Sequence, residues 1–117
     1  MNLKECYAAI GSDYADVMRR FISEARVDRF LRMFLDDQSY AQLCGGMADG
    51  RWPDAFRAVH TMKGICMNLS LSALADRCAA LTENLRGGQP DVQTQPLFEQ
   101  VRTEYERTAA AIRGHLS

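Results

Sequence analysis

The chain has 117 residues, 47% hydrophobic and 25% charged, which is enough apolar material to bury one globular core and excludes a disordered polymer. Fourteen Lys and Arg against fifteen Asp and Glu leave a net charge of −1, so neither nucleic acid nor an anionic membrane is expected as a partner. No apolar run approaches the ~20 residues of a transmembrane helix.

In chain order, every segment carries helical spacing. Leu3, Cys6, Tyr7 and Ile10 make a short amphipathic stretch that stops at Gly11. Ser12 or Asp13 then stands where it can cap a second helix, with Tyr14, Val17, Met18, Phe21 and Ile22 as its apolar face. Ser23 is placed to cap a third, with Val27, Phe30, Leu31, Phe34 and Leu35 inward. Asp36-Asp37-Gln38-Ser39 breaks or kinks the chain before Tyr40, Leu43, Cys44 and Met47, a helix that Gly45-Gly46 weakens.

Trp52-Pro53 opens a long helix running to about Leu69, with proline in its favoured first turn and Asp54 complementing the dipole. Ser70 or Ser72 is expected to cap the next, whose Leu71, Leu74, Cys78, Leu81 and Leu85 form a bundle seam. Gly87-Gly88-Gln89-Pro90 reads as a loop, and Leu97, Val101, Tyr105, Thr108, Ile112 and Leu116 mark a last long helix. Nothing alternates with period two. The expected fold is all-α, an antiparallel four-helix bundle with additional short N-terminal helices. One domain spans 1–117, its bundle core at about 24–116. The seams fit within one chain, so a monomer is expected.

Cys6, Cys44, Cys66 and Cys78 show no Cys-x-x-Cys spacing, and neither His60 nor His115 has ligand partners at metal spacing. Reduced thiols, no metal and no cofactor are expected. Met1-Asn2-Leu3-Lys4-Glu5-Cys6 lacks the architecture of a secretory signal, which makes a cytoplasmic location the expectation.

His60-Thr61-Met62-Lys63-Gly64 carries the chemistry. On the long helix, at ~100° per residue, Ala55, Ala58, Val59, Met62, Ile65, Cys66 and Leu69 gather on one side. His60 projects from the other, among Phe56, Arg57, Lys63, Gly64 and Met67. Histidine titrates near neutral pH and can offer a free ring nitrogen as nucleophile. Residues three and four apart on a helix are neighbours, so Lys63 can neutralise an anionic group on the imidazole. Gly64 lies away from the core stripe, where the missing Cβ leaves room for another molecule to approach. His115, in the last turn, has no such neighbours, and a cation complementing a helix C-terminus accounts for it.

The run Ala55-Phe56-Arg57-Ala58-Val59-His60-Thr61-Met62-Lys63-Gly64, followed by Asn68-Leu69, resembles the central helix of the histidine-containing phosphotransfer (HPt) domain family. Asp28 to Leu35 resembles the helix before it, Ala48-Asp49-Gly50-Arg51-Trp52 the connection, and Leu81-Thr82-Glu83-Asn84-Leu85-Arg86 the helix after it. Ser70 departs from the family, which often has glycine after Asn-Leu. The resemblance implies a phosphorelay intermediate of a two-component system. His60 would be phosphorylated by the aspartate of a response-regulator receiver domain and would donate to another. A histidine kinase, often hybrid, is then a further partner. It also implies that the receiver brings the metal ion, so that His60, Lys63 and Gly64 are this chain's share of the catalytic site. Phe56, Met67 and the stem of Arg57 would form an apolar partner-docking collar. Autonomous kinase activity is not expected: no glycine-rich phosphate cradle is present, and Thr61-Met62 stand where sensor-kinase dimerisation domains usually have an acidic residue and then proline. The alternative is a binding-only helical adaptor that docks receiver or kinase domains without transferring phosphate, a role with no use for His60.

Overall fold

Short polar side chains start the first three helices. In the computed structural model, which describes residues 1–117, the chain forms seven helices and no strand: α1 (Leu3–Ala9), α2 (Tyr14–Phe21), α3 (Glu24–Asp36), α4 (Ser39–Asp49), α5 (Trp52–Asn68), α6 (Ser72–Leu85) and α7 (Thr94–Leu116). Asn2 and Glu5 cap α1 reciprocally: the Asn2 side-chain Oδ1 accepts from the Glu5 backbone N–H at 2.8 Å, and the Glu5 carboxylate accepts from the Asn2 backbone N–H at 2.9 Å. Asp13 caps α2 and Ser23 caps α3 by the same chemistry.

Two expectations at helix ends are corrected. Ile22 is not on an inward face. It takes the left-handed conformation that ends α2 (φ 68°) and is 79% exposed. Neither Ser70 nor Ser72 caps α6; Leu71 occupies that position and no side chain bonds the helix start. Ser70 is instead buried in the left-handed region (φ 55°), and its hydroxyl donates to the Asp16 carboxylate on α2 at 2.6 Å.

The bundle follows from connection length. Two residues join α4 to α5, three join α5 to α6 and eight join α6 to α7, and such short links make successive helices antiparallel neighbours. α3 closes the bundle against α7, while α1 and α2 lie across one end and contact α7 and α3. The resulting body is elongated, 41 × 23 × 19 Å. Those two short helices also satisfy backbone groups left open at the end of α5. The buried Tyr7 hydroxyl donates to the Leu69 carbonyl at 2.7 Å, and the Asp13 N–H donates to the Ser70 carbonyl at 3.2 Å. Burial pushes the Tyr7 phenol well above its ordinary pKa, which keeps it protonated as the donor this bond needs.

Gly45 and Gly46 do not have the same role. A Cβ on Gly46 would stand 2.9 Å from the Ala55 backbone nitrogen and 3.2 Å from its Cα and Cβ. The absence of a side chain there lets α4 and α5 touch backbone to backbone. A Cβ on Gly45 would meet only the end of the Arg51 side chain, at 3.3 Å.

Substitutions at the two glycines should therefore have opposite signs. Gly46→Ala should lower stability by about 1–3 kcal/mol, because helix α5 must shift. Gly45→Ala should hold or raise it by up to ~1 kcal/mol through helix propensity. Denaturant midpoints of the two variants check this directly.

Candidate functional site

The site is built on the side of α5 that the core leaves free. Ala55, Ala58, Val59, Met62 and Cys66 are buried along one stripe, with Ile65 half-buried at its edge. A residue on the opposite side must face solvent. His60, the ninth of seventeen helical residues, is exposed there, and neither of its ring nitrogens is hydrogen-bonded. A bare imidazole nitrogen held mid-helix retains its lone pair for an incoming electrophile.

Its surroundings come from two helices. One turn back, the half-buried Phe56 ring stacks with the imidazole, 3° from parallel and 5.9 Å between centroids. From the end of α6, the Arg86 guanidinium lies 5.5 Å from the Phe56 ring centre. Arg86 is itself fixed to Glu83, with Nη2 donating at 2.8 Å and Nε at 3.2 Å to Oε1. These bonds from Arg86 hold the Glu83 carboxyl below its ordinary range, and the Lys63 charge adds to the effect. Lys63, one turn on from His60, is half-buried and makes no hydrogen bond. Beside it, a Cβ on Gly64 would meet nothing within 4 Å, so the approach to the imidazole on that side is open.

The remaining residues expected in the collar are less tightly gathered. Met67 is 55% exposed, on the same side of α5 but two turns beyond His60. The Arg57 guanidinium is ion-paired with Asp54, which also binds Arg51 at 2.9 Å. Arg57 thus borders both a cleft of about 500 Å³ toward α4 and another of about 380 Å³ toward α6. Glu83 and Arg86 were not among the expected site residues. They sit on a different helix, and no spacing within one helix states the rotation of the next.

His115 stands in the last turn of α7, as expected, and has in addition a partner distant in sequence. Its Nε2 lies 2.7 Å from the Asp28 carboxylate and its side chain is only 11% exposed. The imidazole ties the end of α7 to α3, and its occupied nitrogen is a poor nucleophile. The four cysteines are free thiols, three of them buried. No three His, Cys, Asp or Glu side chains converge as metal ligands would, and no helix is long and apolar enough to cross a membrane.

Comparison with known proteins adds one match. A family model described as the Hpt domain covers residues 16–111, from the first turn of α2 almost to the end of α7. No curated protein and no solved structure matches the chain.

The open space at Gly64 makes a stability prediction that is independent of function. Gly64→Ala should raise the unfolding free energy by about 0.5–1 kcal/mol, since a Cβ there clashes with nothing and alanine is the better helix former. Thermal or denaturant unfolding checks it. A loss of stability would mean that the helix needs glycine for its own packing.

Proposed function

The chain belongs to the Hpt domain family, and on that premise we propose that His60 is the residue that carries the phosphoryl group. Hpt domains are phosphoryl carriers of two-component phosphorelays, not kinases, and they work with receiver domains and histidine kinases. The observation that supports the assignment here is the exposed, unbonded imidazole of His60 beside Lys63 and the open Gly64. The whole chain, 1–117, acts as one such domain, a monomer in the cytoplasm, with its bundle core at about 24–116.

The reaction divides between two proteins. A receiver domain presents an aspartyl phosphate. The free nitrogen of His60 attacks phosphorus, an N–P bond forms, the O–P bond of the acyl phosphate breaks, and the aspartate leaves as a carboxylate. The other ring nitrogen keeps its proton. Reversal passes the group to a second receiver. Phosphoryl transfer of this kind depends on positioning and charge neutralisation. Lys63, a mobile point charge not committed to a hydrogen bond, turns toward the phosphoryl oxygens. Gly64 leaves clearance for the receiver. Phe56, Met67 and the aliphatic stem of Arg57 supply apolar contact around the imidazole, as a transient interface requires.

Phosphorylated imidazole is a phosphoramidate, stable to base and lost in acid. His60→Gln should abolish transfer from a phosphorylated receiver while changing stability by no more than about 0.5 kcal/mol, as is usual at exposed positions. Lys63→Ala should slow transfer severalfold to ~tenfold without silencing it. Gly64→Gln should impair transfer in a protein at least as stable as its parent. Acid-labile label persisting on the His60→Gln protein would refute the assignment and redirect it to His115.

A further inference from the structure

The structure points to Arg86 as a positioning residue for His60, acting through the Phe56 ring; we infer that its guanidinium, although on a different helix, sets the orientation of the imidazole. The coupling runs through successive planes. The Phe56 ring lies within 3° of parallel to the imidazole, so a change in one plane removes the other's stacking partner. Phe56 packs one side against the core and on the other lines the 380 Å³ cleft with Pro53, Arg57, Leu85, Arg86, Gly87 and Gly88, where the two glycines offer the ring no side chain. The group that does face the ring is the Arg86 guanidinium, 5.5 Å from its centre, a distance at which cation and ring attract.

Arg86 is suited to this because it is held twice. Its backbone closes α6, with the N–H donating to the Glu83 carbonyl at 3.3 Å, and its side chain is forked onto the Glu83 carboxylate. A planar guanidinium fixed by two bonds retains its orientation in a way that a lysine ammonium does not. An exposed side chain without such support exchanges rotamers in picoseconds to nanoseconds. In-line attack needs the lone pair in one direction, and misalignment lowers the rate without removing the nucleophile. The effect on rate rests on His60 being the acceptor. The effect on ring orientation does not.

The test uses the full chain with labelled histidine and follows the His60 Hδ2 and Hε1 resonances, which the Phe56 ring current displaces. In Arg86→Ala these resonances should move most of the way to their positions in Phe56→Ala, and the double variant should move them no further. Transfer from a phosphorylated receiver should fall about threefold to tenfold at saturating receiver, with unchanged thermal unfolding, and Arg86→Lys should recover neither the resonances nor the rate in full. Resonances that stay in place in Arg86→Ala would overturn the proposal. So would an Arg86→Lys protein with full rate but resonances at their Phe56→Ala positions, since charge alone would then suffice. If the resonances respond as expected but the parent chain takes no phosphoryl group on His60, the positioning stands and the assignment of His60 as carrier fails.

Discussion

The contact between Gly46 and Ala55 fixes the rest of the structure. Because no Cβ stands on Gly46, α4 approaches α5 until backbone nearly meets side-chain carbon, and at that range α5 has no freedom to roll about its axis. Each residue turns the helix by ~100°, so a roll of a single position would carry His60 to where Val59 is buried and Lys63 to where Met62 is buried. Small residues at the seam, Ala55 and Ala58, then let Val59, Met62 and Cys66 fill the space between helices. The outward direction of His60 is thus a packing consequence.

Much of this was legible in the sequence because helical periodicity is a one-dimensional signal. The stripe on α5, the seam of α6 and the Pro53 start can all be read from spacing. The family resemblance through Ala55–Gly64 carries over to the match across residues 16–111. What was not legible depends on neighbours distant in sequence. Ser70 has the composition of an N-cap, but Asp16 on α2 takes its hydroxyl. Ile22 continues an apolar pattern past the point where the chain turns left-handed. His115 is answered by Asp28, 87 residues away, and Arg86 reaches Phe56 from the following helix. Sequence spacing speaks for a residue's own helix and is silent on the register between two.

Stability and chemistry are kept on different sides of one helix. No buried side-chain polar atom lacks a hydrogen-bond partner, whereas His60 and Lys63 have none, and Gly64 carries no side chain at all. A partner arriving at His60 breaks no bond within the domain. The contrast with His115 makes the same point: the two histidines differ in availability because one imidazole is committed to a carboxylate and the other only to a ring face.

The family match begins at residue 16, yet Tyr7 lies outside it and is buried against the C-terminal end of the helix that carries His60. Its hydroxyl bonds the last turn's exit from α5, and α1 covers the end of the bundle. The portable unit for grafting or fusion is therefore wider than the recognisable one. A module cut at the start of the bundle would expose the Leu69 carbonyl and the apolar floor beneath it, loosening the far end of the very helix that presents the histidine.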